Sequence, residues 1–131
     1  MDEREIRVLL CDDAAAFRAL MRYALEEEPD FVIVGEAADG RAGLAAVAAL
    51  RPDVVLLDLS MPLLDGLDAI AAMQDRSPDT RVIALSGFPA AQMADAARER
   101  GAQAYLEKGT DMATLRDAVR AVAVAPGPSA A

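Results

Sequence analysis

Histidine and tryptophan are absent from this chain of 131 residues, and it contains one cysteine, Cys11, and one lysine, Lys108. Without histidine, the chain cannot use a Ser-His-Asp or Cys-His catalytic arrangement or hold a metal through imidazole. A single cysteine forms no disulfide within the chain. No run of about 18 apolar residues occurs, and the amino terminus lacks the apolar stretch of a signal peptide, so we expect no membrane span and a cytoplasmic location.

Negative charge predominates in what is present: 22 acidic residues stand against 13 basic ones, a net charge of −9. An acidic chain lacks the basic face that a nucleic-acid backbone requires, which weighs against direct nucleic-acid binding. The length fits one domain with one core. We expect that domain over residues 1–124, and we expect the short proline-containing segment 125–131 to be a flexible tail or the start of a linker.

Short apolar segments alternate along the chain with amphipathic, alanine-rich segments. The apolar segments predict five strands, at Ile6–Cys11, Phe31–Ala37, 54–57, Arg81–Ser86 and Ala104–Glu107. The amphipathic segments predict five helices, at 14–27, 42–50, 67–75, 90–100 and 111–124. This alternation is typical of βαβ units and of a mostly parallel sheet covered on both faces.

Polar residues stand where four of the predicted strands end. In open α/β sheets ligands bind at the carboxyl ends of the strands, and the strand order 2-1-3-4-5 would bring these residues to one edge. Each has a structural explanation when taken alone: an acid capping the first helix, an acid in a turn, a strand-end hydroxyl, a solvated charge. Their joint arrangement favours a functional site, formed by Asp12, Asp13, Asp58, Ser86 and Lys108.

Three carboxylates brought together repel one another and require a cation. Because all the ligands are oxygen atoms, Mg²⁺ is the ion they favour. An ionised aspartate can also attack phosphorus and form an acyl phosphate. Asp58 follows the central strand and is the best-placed nucleophile, while Lys108 would neutralise phosphoryl oxygens and Ser86 would hydrogen-bond to one of them.

These residues resemble the receiver domain of two-component response regulators, from about residue 6 to residue 122. The match comprises an acidic pair, a phospho-acceptor motif with an Asp-Gly pair behind it, a hydroxyl, an aromatic switch position and a lysine. In this sequence these are Asp12 and Asp13, then Asp58-Leu59-Ser60-Met61-Pro62 with Asp65-Gly66, then Ser86, Tyr105 and Lys108.

The resemblance implies a flavodoxin-like, doubly wound sheet and a phosphorylation switch. Asp58 would accept a phosphoryl group from a histidine kinase or a phosphotransfer protein. Mg²⁺ would be bound by Asp13, Asp58 and the backbone carbonyl of Ser60, with Asp12 acting mainly through water. Phosphorylation would draw Ser86 inward and let Tyr105 rotate inward. The face of helix 4, strand 5 and helix 5 would change as a result, and receivers often form homodimers through it.

Three positions depart from the family pattern. Gly109 replaces the proline that usually follows the lysine, so we expect a looser loop there. Phe88 replaces a residue that is often polar, and neither Phe88 nor the small hydroxyl of Ser60 is suited to orient an attacking water. We therefore expect a long-lived phosphoaspartate. The third departure is the run of alanines at residues 14–16, where relatives are often more polar.

Several hypotheses about the function and extent of the protein stay open. The chain is either a complete single-domain regulator or the amino-terminal receiver of a longer transcriptional regulator. A pseudo-receiver that only binds proteins is a further alternative. An aspartyl-phosphate hydrolase of the haloacid dehalogenase type requires a second acid two residues after its nucleophile, where this chain has Ser60 after Asp58. A flavodoxin requires a hydroxyl-rich phosphate loop after the first strand, where this chain has alanines.

Overall fold

A computed structural model describes residues 5–61 and 65–124 of the chain. The expected tail at 125–131 lies outside the described residues, as does Pro62 of the phospho-acceptor motif. Five strands alternate with five helices in the order β1 (Ile6–Cys11), α1 (Ala15–Glu26), β2 (Phe31–Ala37), α2 (Gly40–Leu50), β3 (Val54–Asp58), α3 (Gly66–Arg76), β4 (Arg81–Ser86), α4 (Ala90–Glu99), β5 (Ala104–Glu107) and α5 (Met112–Val124).

Four of the five strands have the predicted boundaries, and the boundaries of β3 and of the helices differ from the predicted ones by at most two residues. The predicted start of α2 at residue 42 was wrong because Asp39 acts as its N-cap, with its side chain accepting a hydrogen bond from the amide of Ala42, so that the helix begins at Gly40. Strand β3 extends one residue further than predicted, since Asp58 still pairs with Leu85 of β4.

The five strands form one sheet in the order β2-β1-β3-β4-β5, and all four neighbouring pairs are parallel. The predicted flavodoxin-like topology is therefore confirmed. The strand order reverses between β1 and β3, which lie side by side with Cys11 opposite Leu57. In sheets of this kind the reversal leaves a crevice beyond the carboxyl ends of the two strands.

Two apolar layers cover the sheet, one on each face. Alternate residues of β1 point to opposite layers, with Leu9 in one layer and Leu10 in the other. One layer packs against α2, α3 and α4, and the other against α1 and α5. Strand β3 is buried along its whole length, which explains its continuous apolar sequence up to Asp58.

None of the helices in the described part of the chain combines the length and the apolar character that crossing a bilayer requires.

Candidate functional site

Two buried carboxylates lie at the crevice between β1 and β3. Asp58 is the last residue of β3, and Asp12 follows the last residue of β1 directly. Only 1% of Asp58 and 0% of Asp12 is exposed. Because isolated buried charges are costly, a buried pair of acids in adjacent positions requires positive charge nearby.

The chain's one lysine provides part of that charge. The Nζ atom of Lys108 lies 2.8 Å from Oδ2 of Asp12 and 3.2 Å from Oδ2 of Asp58. The lysine follows β5 directly, and its amide donates a hydrogen bond to the carbonyl of Ser86. Its ammonium also lies 4.9 Å from the centre of the Phe17 ring, within the range of a cation–π interaction. Lys108, which follows the outermost strand β5, therefore contacts the acids at the ends of both β1 and β3.

Asp13 is the third acid of the site and, unlike the other two, it is exposed. One carboxylate oxygen each from Asp12, Asp13 and Asp58 can be chosen so that all three lie within 4.8 Å of one another. Such a set of hard oxygen donors, open to solvent on one side, fits Mg²⁺, which binds through one or two carboxylates and keeps several waters. The residues present therefore fit the metal that the sequence predicts.

Backbone amides fix the second oxygen of each buried carboxylate. Oδ1 of Asp58 accepts a hydrogen bond of 2.9 Å from the amide of Ser60, and Oδ1 of Asp12 accepts one of 2.8 Å from the amide of Ala14. Both are Asx-type turns. The N-cap of α1 is Ala14, without a side-chain cap bond, so neither acid of the pair caps this helix. The capping explanation for Asp12 and Asp13 is wrong.

The tight packing of the loop after Asp58 depends on Gly66. A Cβ atom at Gly66 would lie 2.5 Å from the backbone of Leu59, closer than real contacts allow. Asp65 caps α3 beside it, since its carboxylate accepts a hydrogen bond from the amide of Leu67. The Asp-Gly pair therefore lets the start of α3 approach the segment that carries Asp58.

The ionisation of the site follows from this burial. Burial raises the pKa of Asp58 above its ordinary value, and the charge of Asp12 adds to this, while the Ser60 amide and Lys108 oppose it. Partial burial tends to lower the pKa of Lys108, but its contacts with Asp12 and Asp58 raise it overall. Burial, together with the charge of Asp12, raises the pKa of Cys11 to about 12, so this thiol stays protonated and unreactive.

The two predicted switch residues meet at the backbone of Phe88. Ser86 is buried at the end of β4, and its Oγ accepts a hydrogen bond of 3.0 Å from the Phe88 amide. Tyr105 is 8% exposed, and its hydroxyl donates a hydrogen bond of 2.7 Å to the Phe88 carbonyl. We expected Tyr105 to move inward on phosphorylation, but in this structure it already lies inward.

The other predicted site residues lie at the carboxyl ends of the strands, as the sequence predicts. Asp12, Asp13, Asp58 and Lys108 are brought together directly, while Ser86 ends the neighbouring strand β4. Ser60 is exposed, two residues beyond Asp58, and takes part through its amide. At Gly109 a Cβ atom would meet nothing within 4 Å, so packing does not require glycine there. The expected looser loop stays a prediction.

Sequence reasoning missed two residues of α1 that reach the site. Phe17 lies beside the Lys108 ammonium, and Arg18 donates a hydrogen bond from Nη1 to the carbonyl of Asp12. The available signal was their position, one turn of helix beyond the acidic pair, which places their side chains back toward the loop.

Comparisons with known proteins agree with this geometry. The family model described as the response regulator receiver domain matches residues 8–120. The transcriptional regulatory protein LiaR of Bacillus subtilis is 38% identical over 116 residues, which are 88% of this chain and 55% of LiaR. A protein-glutamate methylesterase/protein-glutamine glutaminase of Anaeromyxobacter dehalogenans is 41% identical over 86% of this chain and 33% of its own length. The chain thus spans about half the length of LiaR and a third of the methylesterase.

Solved structures give the same result. The signal receiver domain of the response regulator NarL from Mycobacterium tuberculosis aligns with a TM-score of 0.88 and 33% identity, covering 94% of this chain and 99% of that one. The response regulator domain of Thermotoga maritima CheB aligns with a TM-score of 0.85 and 29% identity, covering 94% of this chain and all of that one. By sequence and by fold, the chain belongs to the response regulator receiver domain family.

Proposed function

We propose that this domain is a signalling switch that accepts a phosphoryl group on Asp58, with Mg²⁺ bound by the neighbouring acids. The observation that carries the proposal is the placement of one buried aspartate within 3.2 Å of a lysine and within 4.8 Å of two further carboxylates. An acid that served only to fold the chain would need one counter-charge. This arrangement instead leaves an excess of negative charge at a solvent-accessible edge.

The phosphoryl donor in this proposal is a histidine kinase or a phosphotransfer protein carrying a phosphohistidine. A carboxylate oxygen of Asp58 attacks phosphorus, the new O–P bond forms, the P–N bond of the donor breaks, and the imidazole leaves with its bonding electron pair. The role of Asp58 as nucleophile requires its ionised form. Lys108 helps to keep it ionised, since the contact between them lowers the carboxyl pKa against the effect of burial.

Mg²⁺ would be held by Asp13, Asp58 and the carbonyl of Ser60, with Asp12 acting through water. When bound, the ion supplies positive charge to the phosphoryl oxygens. Lys108 would add its own charge, and the hydroxyl of Ser86 would donate a hydrogen bond to one phosphoryl oxygen. At present Oγ of Ser86 accepts a hydrogen bond from the Phe88 amide, and a movement of Ser86 toward the phosphoryl group would lengthen that bond.

The output would be a change of the face formed by α4, β5 and α5. The hydroxyl of Tyr105, from β5, is bound to the same Phe88 backbone that contacts Ser86, so movement of Ser86 is transmitted to Tyr105. A homodimer through this face is the partner interaction we expect on phosphorylation. The relatives named as transcriptional regulators favour a receiver whose output is transcription, with a stand-alone regulator as the alternative. Coding sequence that continues past Ala131 into a helix-turn-helix domain would decide for the first.

The experiment is mass measurement of the intact protein after incubation with Mg²⁺ and acetyl phosphate, beside an Asp58→Asn variant and a sample without Mg²⁺. We expect one added phosphoryl group on the original chain with Mg²⁺ and none in the two controls. Uptake by the variant would place the acceptor elsewhere and overturn the proposal.

Uptake by neither protein would leave two alternatives, which Mg²⁺ titration of the unmodified protein separates. A domain that binds Mg²⁺ but is not phosphorylated by acetyl phosphate is one that accepts a phosphoryl group only from its own kinase. A domain that binds no Mg²⁺ is a pseudo-receiver, and the proposal is then wrong.

A further inference from the structure

The amide, the carbonyl and the Oδ1 atom of Asp12 have hydrogen-bond partners in the structure, whereas its buried Oδ2 atom has no hydrogen-bond partner among the described residues and makes only the ion pair with Lys108. Its amide donates to the carbonyl of Ala37 at 3.0 Å, and its two carboxylate oxygens contact Ala14 and Lys108 as described. Its carbonyl accepts a hydrogen bond of 2.5 Å from Nη1 of Arg18. The donor of this last bond is a charged side chain that belongs to α1 and not to the end of a strand. Only 18% of the Arg18 side chain is exposed.

Arg18 is itself anchored on the sheet. Its Nε lies 2.8 Å from Oε1 of Glu36, which belongs to β2 and pairs with Leu10 of β1. The other oxygen of Glu36 lies 2.7 Å from Nε of Arg22. A guanidinium is planar and presents its donors in a rigid fork, so two contacts in different directions fix its orientation. Arg18 therefore links the Asp12 carbonyl to Glu36 on β2, the outermost strand of the sheet.

The carbonyl of Asp12 and the amide of Asp13 share one peptide plane. Holding this carbonyl therefore fixes the direction from which the Asp13 side chain leaves the backbone. Asp12 is buried and held by other contacts, whereas Asp13 is exposed, so its carboxylate depends on the backbone for its orientation. We propose that Arg18 is a positioning residue that aims Asp13 at the metal. This inference rests on the proposed function, since it concerns the same Mg²⁺ site.

Plain electrostatics predicts the opposite effect of losing this arginine. Removing a positive charge near an acidic site strengthens its attraction for a divalent cation. If Arg18 acts by positioning, its loss weakens Mg²⁺ binding instead. The sign of the change therefore distinguishes the two roles.

Arg22 offers a matched control on the same helix. Its guanidinium pairs with the same Glu36 and with Glu26, whereas the guanidinium of Arg18 also reaches the carbonyl of Asp12. We would measure Mg²⁺ binding by calorimetry, and acetyl phosphate labelling against Mg²⁺ concentration, for wild type, Arg18→Met and Arg22→Met. Thermal unfolding of each variant reports whether the fold persists.

We expect Arg18→Met to raise the dissociation constant for Mg²⁺ by about tenfold, the lower end of the cost of losing an outer contact of a metal site. The Mg²⁺ concentration for half-maximal labelling should rise by the same factor, while the maximal rate at saturating Mg²⁺ stays within about twofold of wild type, because no group that touches the phosphoryl group has changed. Arg22→Met should leave both quantities unchanged.

Unchanged or tighter Mg²⁺ binding by Arg18→Met, in a protein whose wild type binds Mg²⁺ and is labelled, overturns the inference and leaves the proposed function intact. Equal weakening in both arginine variants also overturns it, because the effect then belongs to the Glu36 ion pairs. If Arg18→Met does not fold, Arg18→Lys replaces it: its single ammonium cannot fill both contacts, so we expect about a threefold rise in the dissociation constant. Failure of wild type to bind Mg²⁺ would instead count against the proposed function.

Discussion

Buried polar groups are stabilised differently where the parallel strands begin, the amino edge of the sheet, and where they end, the carboxyl edge. At the amino edge, before β3 and β4, the buried polar side chains are the hydroxyls of Ser77 and Thr80. They lie 2.7 Å apart, and Thr80 donates a hydrogen bond of 2.6 Å to the carbonyl of Pro52. At the carboxyl edge the buried polar groups are the carboxylates of Asp12 and Asp58 and the hydroxyl of Ser86.

This difference separates structural from functional polarity. Neutral hydroxyls satisfy one another, so the buried pair at the amino edge needs no counter-charge. At the carboxyl edge Asp12 and Asp58 share Lys108, and the exposed Asp13 lies beside them, so that three carboxylates stand against one ammonium. This excess of negative charge is the reason that we propose a cation and a phosphoryl group at the carboxyl edge. Five substitutions, with their controls, test this contrast.

Loss of Lys108 should have the largest effect. In Lys108→Met the two buried carboxylates lose the ammonium that contacts both, and the phosphoryl oxygens lose one of their positive neighbours. We expect the rate of acetyl phosphate labelling to fall about 10²-fold, as for removal of one preorganised charge from an active site. Arg120→Met is the control at the amino edge, where the arginine pairs with Glu28 and Asp30. It should leave labelling unchanged, and a Lys108→Met rate within about twofold of wild type would contradict the charge argument.

Thr80→Val should have the reverse profile. Valine keeps the shape of the side chain but leaves the carbonyl of Pro52 and the hydroxyl of Ser77 without their buried partner. We expect the free energy of unfolding to fall by about 2 kcal/mol, the cost of unsatisfied buried polar groups, with no change in labelling rate. Urea denaturation measures the first and intact mass the second. A labelling rate that falls with stability would mean that the two edges are coupled.

Asp58→Asn should stabilise the domain at neutral pH in the absence of Mg²⁺. Because burial raises the pKa of Asp58, its ionised form is less favourable in the folded than in the unfolded chain. That penalty is absent at pH values below the ordinary carboxyl pKa and complete above the raised one. We expect a gain of roughly 1 kcal/mol at pH 7, the usual size of a single-residue effect, which shrinks as the pH falls through the raised pKa.

Asp30→Asn is the comparison for this pH dependence. Its hydrogen bond with Arg120 lowers the pKa of Asp30, so its contribution to stability is present at neutral pH and is lost as the pH falls through that lowered pKa. The asparagine variant should therefore be less stable than wild type at pH 7. Urea denaturation across this pH range should give opposite signs for the two variants, and equal signs would contradict the contrast between the edges.

Phe88→Glu should have the smallest effect. Phe88 is 52% exposed and offers no polar side-chain atom to an attacking water, whereas its backbone holds Ser86 and Tyr105. A carboxylate there should shorten the life of the phosphoaspartate about threefold, less than a fully oriented general base provides. Decay of the phosphorylated mass measures this, with Phe88→Leu expected to match wild type. A Phe88→Glu protein that loses its phosphoryl group no faster would refute the expected long lifetime.

The elements of the fold were predictable because their signals are local. Continuous apolar runs marked the strands, and the residues after them lie at one edge because the strands are parallel. The errors came from caps and pairing: the start of α2 depends on Asp39 accepting a hydrogen bond from the Ala42 amide, and the end of β3 depends on Leu85 of the next strand. Neither interaction is visible in the periodicity of the segment itself.

The sequence by itself determined the chemistry available to this protein. With no histidine and one lysine, and with acids at the ends of the first and third strands, the sequence limits the metal ligands at the carboxyl edge to oxygen atoms and supplies one ammonium there. The tertiary structure decided which of two adjacent acids is buried, that Tyr105 lies inward, and that Arg18 holds the Asp12 carbonyl. These outcomes depend on contacts between residues far apart in the chain, such as Lys108 and Asp58, 50 positions apart, and such contacts exist only once the strands have been brought side by side.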